Sequence, residues 1–261
     1  MLLALDVGNT NVTVGVFKRE ELVATWRAKT DIQRQADEYA VILLTLLQTQ
    51  GLDPKDITDS VLASVVPPLT TTFQELCRQY FKADPLVVET GVRSGISILY
   101  DNPRDVGADR VADSAAAYHL YGGPVIVLDF GTATVLDAIS KDGQYLGGAI
   151  APGIGIAAEA LFTRASKLPR VELVRPKTAI GRNTVASIQS GLIFGYVGLI
   201  EGLITRFQRE MGGNAKVIAT GGLANIVGKE SKLIDEVNLD LTLIGLRIIY
   251  ELNRPPQKRP A

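Results

Sequence analysis

This sequence is poor in the residues from which disulfides and transition-metal sites are built. It has one cysteine and one histidine in 261 residues. A single cysteine cannot form an internal disulfide or a thiolate metal cluster, and a single histidine excludes sites with several imidazole ligands. We interpret Cys77 as a small buried apolar side chain and His119 as a residue at a helix end. The cysteine usage favours a reducing compartment.

The chain also lacks an excess of charge and long apolar runs. Lys and Arg total 27 and Asp and Glu total 28, so the formal net charge of −1 gives no broad basic field for nucleic acid or anionic lipid. The most membrane-like stretch, residues 190–200, is shorter than the roughly 18 to 20 residues of a membrane-spanning helix and predicts a buried helix. The N-terminal apolar run reaches Asp6 without the pattern of a signal peptide. We therefore expect a cytoplasmic protein with neither nucleic acid nor a membrane as partner.

Two matching turns are the most informative feature that is present. An apolar run ends in Asp6 and continues to Asn11 as Val-Gly-Asn-Thr-Asn, and a second ends in Asp129 and continues to Thr134 as Phe-Gly-Thr-Ala-Thr. A buried strand followed by such a turn brings main-chain N–H groups and a carboxylate to one place. The glycine lets the backbone approach phosphate oxygens, and Asp6 could hold a magnesium ion through water. Because β-turns use the same residues, either turn alone would be weak evidence.

Hydrophobic periodicity predicts a similar order of elements in the two halves. The first half indicates three antiparallel strands, a helix over 37–50, a strand over 61–66, a helix over 70–81 and a strand over 86–89, which is βββαβαβ. The second half indicates strands over 124–128, 134–139, 145–150 and 215–219, helices over 155–163, 184–211 and 239–252, and a frayed end from residue 253. The repeat in both motif and topology predicts two lobes, 1–121 and 122–261.

The two Asp-Gly turns and a later strand that ends in Gly221-Gly222 together resemble the actin-like ATPase superfamily of sugar kinases, chaperones and actin. The resemblance implies an α/β protein with a duplicated actin-like (ribonuclease H-like) fold, in which two βββαβαβ-type lobes surround a nucleotide cleft. It also implies that the first two turns bind the nucleotide phosphates and that the third motif, residues 219–224, lies beside adenosine.

Five motifs look more specifically like type III pantothenate kinase: 6–11, 107–110 (Gly-Ala-Asp-Arg), 129–134, 147–154 and 220–224. The resemblance runs from residue 6 to about residue 224, and the one departure is Val135-Leu136-Asp137, where Thr-Phe-Asp is expected. It implies a homodimeric enzyme that uses ATP to phosphorylate pantothenate to 4′-phosphopantothenate, the first step of coenzyme A biosynthesis.

The same resemblance implies a role for individual residues. Asp109 is the general base, Asp6 positions Mg²⁺ through water, and Asp129 ligates a monovalent cation, K⁺ or NH₄⁺. The implied ATP- and phosphate-binding residues are Asp6, Val7, Gly8, Asn9, Thr10, Asn11, Val12, Thr13 and Thr132. The implied substrate-binding residues are Tyr100, Gly107, Ala108, Asp109, Arg110 and Thr184, the last of which reaches across the dimer.

From the residues alone, several alternatives stay open. Asp109 fits a helix-start carboxylate paired with an arginine, and Thr184 fits a helix N-cap. Glycines at four-residue spacing in the stretch 191–202 permit close helix packing, either within the subunit or across a dimer. Two other functions use the same turns: an actin-like phosphohydrolase that activates water, and a nucleotide-binding regulatory accessory protein.

Overall fold

The computed structural model describes residues 1–254, and the predicted frayed end lies outside these residues from position 255 onward. The strands are β1 (Leu2–Val7), β2 (Asn11–Lys18), β3 (Glu21–Lys29), β4 (Asp59–Ser64), β5 (Leu86–Val87), β6 (Ser97–Ile98), β7 (Val125–Phe130), β8 (Ala133–Ile139), β9 (Gln144–Pro152), β10 (Lys216–Thr220) and β11 (Glu236–Val237). The helices are α1 (Ala36–Thr49), α2 (Pro67–Leu76), α3 (Ala108–Tyr121), α4 (Ile154–Arg164), α5 (Thr184–Glu210), α6 (Ala224–Val227) and α7 (Leu241–Asn253). The first half is therefore βββαβαβ, as predicted.

The chain divides into two compact units that are interleaved in sequence. The first unit contains Met1–Ile96, Asp101–Ala116 and the chain from Leu241, and the second contains Ser97–Tyr100 and Ala117–Asp240. The expected lobe boundaries, 1–121 and 122–261, are wrong for the final helix, because α7 packs against β1, β2 and β4 of the first unit.

The first unit is built on a five-stranded sheet in the order β3-β2-β1-β4-β5. β1 pairs antiparallel with β2 and parallel with β4, so Asp6 lies beside Thr13 on one side and Ala63 on the other. The run from Leu2 to Leu5 is buried throughout, as expected for a strand covered on both faces. The carboxyl ends of β1 and β4 therefore lie side by side at one edge of this sheet.

The interpretation of Cys77 as a buried apolar side chain is confirmed. Cys77 is fully buried in the core, and burial raises the pKa of its thiol to about 11. Trp26 on β3 is partly buried and packs against the same core. Cys77 is thus an unreactive core residue at neutral pH.

The second unit is built on a six-stranded sheet in the order β11-β10-β7-β8-β9-β6. Strands β7, β8 and β9 form an antiparallel meander, and β10 runs parallel to β7 with Thr220 beside Asp129. The predicted meander is confirmed, whereas the short elements β6, β11 and α6 were not predicted. As in the first unit, the aspartate of the Asp-Gly turn lies near the carboxyl end of a central strand.

The long helix α5 has one buried and one exposed face. Among the described residues it is the one helix that could cross a membrane by length and composition, a test that core helices of soluble proteins also pass. The residues of α5 that are buried in the second unit are Ile188, Ser190, Leu192, Ile193, Tyr196, Ile200 and Ile204. The Tyr196 hydroxyl also donates to the carbonyl oxygen of Pro152 at 2.7 Å, which ties α5 to the end of β9. The prediction of a buried helix is therefore confirmed for this face.

Candidate functional site

The turn between β1 and β2 is held from both sides by main-chain and hydroxyl contacts. The Gly8 N–H donates to the carbonyl oxygen of Asn11 at 3.0 Å, which closes the turn. Thr30 donates twice, from Oγ1 to the Gly8 carbonyl oxygen at 2.7 Å and from its N–H to the Thr10 carbonyl oxygen at 3.0 Å. Between these anchors, Asn9 and Thr10 are exposed. The turn is thus a fixed loop with polar side chains on its exposed surface.

The structure divides the predicted phosphate-binding residues of this turn into two kinds. The side chains of Val7 and Val12 are buried in the core of the first unit, so only their main-chain groups could contact a ligand. Asp6 and Thr13 pair across the two strands and are partly exposed. The polar face of the site therefore comes from alternate positions, as the period of a β-strand requires.

Asp109 lies in the first turn of α3, where its carboxylate folds back toward Gly107. Its Oδ1 accepts the N–H of Arg110 at 2.8 Å. A Cβ placed on Gly107 would lie 2.5 Å from this Oδ1 and 3.4 Å from Cγ1 of Val65. Any side chain at position 107 would therefore displace the carboxylate. The helix-start position of Asp109 is as predicted.

Val65 connects this carboxylate with the first Asp-Gly turn. It follows directly after β4, and its N–H donates to the carbonyl oxygen of Val7 at 3.1 Å, one residue after Asp6. Its side chain lies beside Gly107, as the short distance to a Cβ at that position shows. Asp109 is thus held near the carboxyl ends of β1 and β4. Val65 was not singled out from the sequence, although it lies within the strand predicted over 61–66.

The environment of Asp109 favours its protonated form. Burial raises the pKa of the carboxyl group above its ordinary value, while the Arg110 N–H and guanidinium charge act in the opposite direction. A raised pKa makes the ionised carboxylate a stronger base, and such shifts are common at catalytic positions. Asp109 therefore has the electrostatic character of a general base.

In the second unit the Asp129 carboxylate is enclosed by two glycine turns. A Cβ on Gly221 would lie 2.3 Å from Asp129 Oδ1 and 2.7 Å from the main-chain N and C of Phe130. A Cβ on Gly131 would lie 3.0 Å from Asp129 Oδ2. The N–H of Leu223 donates to the carbonyl oxygen of Phe130 at 3.4 Å. The turn after β10, placed beside adenosine by resemblance, thus also packs directly on this carboxylate.

Thr132 lies at the tip of the second Asp-Gly turn with an exposed side chain. Its carbonyl oxygen accepts the N–H of Gly153 at 3.1 Å, which joins the turn to the start of α4. The Gly-x-Gly pattern that begins at Gly153 therefore opens a helix after the antiparallel strand β9, and this is not the context of a dinucleotide site.

Tyr100 and Thr184, two predicted substrate residues, both lie in the second unit. The Tyr100 ring packs edge-on against Tyr145 at 6.1 Å between centroids. Thr184 is the exposed first residue of α5. The alternative that Thr184 is the N-cap is wrong, because Asn183 has that role and its Oδ1 accepts the N–H of Ala186 at 2.8 Å.

The structure brings the predicted residues together in two sets, one in each unit. The Asp6 turn and residues 107–110 belong to the first unit, and Asp129, Thr132, Tyr100 and Thr184 belong to the second. Within residues 1–254, no three Asp, Glu, His or Cys side chains are grouped as a metal site.

Comparison with solved structures identifies the fold. A conserved putative Baf family transcriptional activator from Campylobacter jejuni superposes with a TM-score of 0.61 and 20% identity, covering 96% of this chain and 98% of that one. The activator of 2-hydroxyisocaproyl-CoA dehydratase from Clostridium difficile, solved with bound ADPNP, gives a TM-score of 0.52 and 12% identity over 96% and 95% of the two chains. The predicted actin-like α/β fold is confirmed.

Comparison of sequences identifies the family. The model of the type III pantothenate kinase family matches residues 2–206. The type III pantothenate kinase of Moorella thermoacetica is 58% identical over 253 residues, which are 97% of this chain and all of the relative. A type III pantothenate kinase of Roseiflexus sp. (strain RS-1) is 53% identical over 254 residues, again covering 97% of this chain and all of the relative. The chain therefore belongs to the type III pantothenate kinase family.

Proposed function

We propose that this protein transfers the γ-phosphate of ATP to the primary hydroxyl of pantothenate and releases ADP and 4′-phosphopantothenate, the first step of coenzyme A biosynthesis. The observation that carries the proposal is the placement of Asp109. In a chain of this family, a carboxylate with a raised pKa lies near the carboxyl ends of β1 and β4, where the first Asp-Gly turn begins.

Asp109 acts as the general base in this reaction. The hydroxyl oxygen of pantothenate forms a bond to the γ-phosphorus as the bond to the ADP oxygen breaks, and the hydroxyl proton passes to the Asp109 carboxylate. Gly107 leaves the space in which this carboxylate lies, and the Arg110 N–H fixes one of its oxygens. Residues 107–110 and Tyr100 bind pantothenate in this proposal.

The phosphates of ATP are bound by the exposed side chains and main-chain groups of the two Asp-Gly turns. Asn9, Thr10 and Thr132 donate hydrogen bonds to the phosphates, and Asp6 would hold Mg²⁺ through water. The magnesium ion, when bound, neutralises phosphate charge, which is its general contribution to phosphoryl transfer. Asp6 fits this role because it is a partly exposed carboxylate at the end of a buried strand.

Asp129 contributes to a site for K⁺ or NH₄⁺. The carboxylate is held against the main chain of two glycine turns. Oxygen ligands of this kind suit a hard cation. The choice of a monovalent ion over a second magnesium ion follows from the family resemblance and is the part of this assignment that needs a direct test.

The protein functions as a cytoplasmic homodimer in which Thr184 contacts the pantothenate bound by the partner. The exposed face of α5 supports this assembly. A Cβ on Gly191, Gly195 or Gly198 would have no described atom within 4 Å outside the helix itself, so these glycines do not serve close packing within residues 1–254. Small residues at four-residue spacing suit the approach of a second helix.

A coupled assay of ADP release tests the proposed function. We expect ADP release to require pantothenate and to be faster in potassium or ammonium chloride than in sodium chloride. ADP release that is independent of pantothenate would indicate a phosphohydrolase, and ATP binding without turnover would indicate a regulatory protein. Light scattering on the same sample would show twice the mass of 28.0 kDa for a dimer. A monomer with full activity would refute the role of Thr184.

A further inference from the structure

The last helix, α7, lies beyond the residues matched by the family model, yet it packs beside the helix that carries the proposed base. The family model ends at residue 206, and α7 begins at Leu241. α7 belongs to the first unit and contacts β1, β2 and β4. Its one glycine, Gly245, is buried. None of the motifs that indicate the kinase family assigns a role to this helix.

At Gly245, α7 touches α3 backbone to backbone. A Cβ on Gly245 would lie 1.9 Å from the carbonyl oxygen of Ala112 and 2.5 Å from its carbonyl carbon. Neither atom belongs to a flexible side chain, so a methyl group at this position requires one helix to move. Ala112 lies three residues after Asp109 on α3, which places the two residues on neighbouring positions of the same helix face. The contact is thus one helical turn from the carboxylate.

The other side of α7 leaves little room for that helix to retreat. Leu243 fills the space over Gly15 of β2, where a Cβ would lie 2.9 Å from the Leu243 Cδ1. Farther along, the Tyr250 hydroxyl donates to Asp59 Oδ1 at 2.5 Å, which fixes α7 to the start of β4. Because α7 is fixed on the sheet, added volume at Gly245 would displace α3.

We propose that Gly245 is a positioning residue for phosphoryl transfer: the absence of a side chain sets how closely α3 approaches α7, which is fixed on the sheet, and therefore where the Asp109 carboxylate lies. The inference rests on the proposed function, in which Asp109 accepts the proton of pantothenate. Displacing a reacting group by about 1 Å can cost roughly 10²-fold in rate. Gly245 would thus influence catalysis without touching a substrate.

The primary test is Gly245→Ala, assayed for kcat and for the KM of ATP. We expect kcat to fall by roughly 10- to 100-fold, since the carboxylate is displaced. The KM of ATP should change less than twofold, because the β1–β2 turn does not contact Gly245. Alanine is the better helix former, so helix propensity alone predicts no loss.

Leu243→Ala is the matched control on the same helix. It removes packing against β2 and should lower Tm, but it adds no volume against α3 and should leave kcat within about threefold of the wild type. If kcat in the two variants simply follows their loss of Tm, the positioning role is refuted.

A double-mutant cycle with Asp109→Asn gives the readout that a purely structural role would not produce. If Gly245 acts through Asp109, adding Gly245→Ala to Asp109→Asn should change the residual kcat/KM by less than about twofold. A full 10- to 100-fold loss in both backgrounds overturns the inference, even when the wild type is an active pantothenate kinase. A wild type without pantothenate-dependent turnover refutes the proposed function itself.

Tyr250→Phe is a second test of how α7 is fixed on the sheet, for use if Gly245→Ala does not fold. It removes the bond that fixes α7 to β4, the strand that leads to Val65 beside Gly107, whereas Leu243→Ala loosens only the packing on β2. Tyr250→Phe should therefore lower kcat in the wild-type background but not in the Asp109→Asn background. A lower Tm with unchanged kcat would count against a positioning role of α7.

Discussion

Replacing Gly221 by alanine should disturb the second unit more than any ordinary surface change, for two reasons that can be separated. The φ angle of Gly221 is +91°, in the region where side chains are strained. A Cβ there would also lie 2.3 Å from Asp129 Oδ1 and 2.7 Å from main-chain atoms of Phe130. The first effect is strain of the backbone at position 221. The second is a steric clash where the turn after β10 packs against the turn after β7.

Gly212 provides the matched control because an alanine at this position would strain the backbone but would not clash with another atom. Its φ angle is +84°, and a Cβ there would have no atom within 4 Å. A left-handed conformation costs a non-glycine residue about 1–2 kcal/mol, and forcing extra volume into a packed site costs about 1–3 kcal/mol. We therefore expect Gly212→Ala to lower the free energy of unfolding by about 1–2 kcal/mol and Gly221→Ala by about 2–5 kcal/mol.

Thermal unfolding followed by circular dichroism measures both variants, with about 2–4 °C lost per kcal/mol for a chain of this size. The assay of pantothenate-dependent ADP release adds a functional readout, in which Gly221→Ala should be impaired because the Asp129 carboxylate has moved. Gly212→Ala should keep wild-type turnover. Equal Tm values and equal turnover for the two variants would refute the claim that Gly221 is required for close contact with Asp129.

Three further predictions concern single residues of the first unit. Asp109→Asn should lower turnover by roughly 10²- to 10⁴-fold. Its Tm should exceed that of the wild type at pH 7 and the gap should close toward pH 4, because a raised folded-state pKa means that ionisation of Asp109 destabilises the native state as pH rises. Cys77, with a pKa of about 11, should react with iodoacetamide at pH 8 at least roughly 100-fold more slowly in the native protein than in urea. Asn253→Ala removes two side-chain bonds to the main chain of Arg93, at 3.1 and 2.7 Å, and should cost about 1–3 kcal/mol with loss of hydrogen-exchange protection at the Arg93 amide.

Local patterns in the sequence were sufficient to predict most of the regular elements. The run from Leu2 became β1, and the meanders in both halves follow from alternation and from turns of small residues. Errors of one to five residues occur at the ends: α2, for example, begins at Pro67 rather than at Thr70 and ends at Leu76 rather than at residue 81. Proline is tolerated in the first helical turn, because the N–H that it lacks has no partner there.

Elements whose only support is a distant partner could not be predicted. β6 and β11 are two residues long and exist because Ser97 pairs with Gln144 and Ile218 pairs with Glu236. A strand of two residues is too short to show the alternation of apolar and polar residues by which strands are predicted. The position of α7 was missed for a related reason: its amphipathic pattern predicts a helix but does not say which of two sheets it covers, and that choice depends on the fit of Leu243 over Gly15.

For the glycines of the candidate site, the sequence predicted that the absence of a side chain matters but did not show which group occupies the space. Gly8 and Gly131 of the two Asp-Gly turns were interpreted as room for an approaching phosphate, but the structure shows a different use of glycine at two other positions. In the structure, Gly107 leaves room for the Asp109 carboxylate, and Gly221 leaves room for that of Asp129. A carboxylate that lies against main-chain atoms loses solvent on that side, and for Asp109 this burial raises the pKa. The absence of a side chain at position 107 therefore affects the pKa of Asp109 as well as the space available to a ligand. Gly107→Ala should for this reason change the pH dependence of kcat, whereas a change that affected only ligand access would alter KM alone.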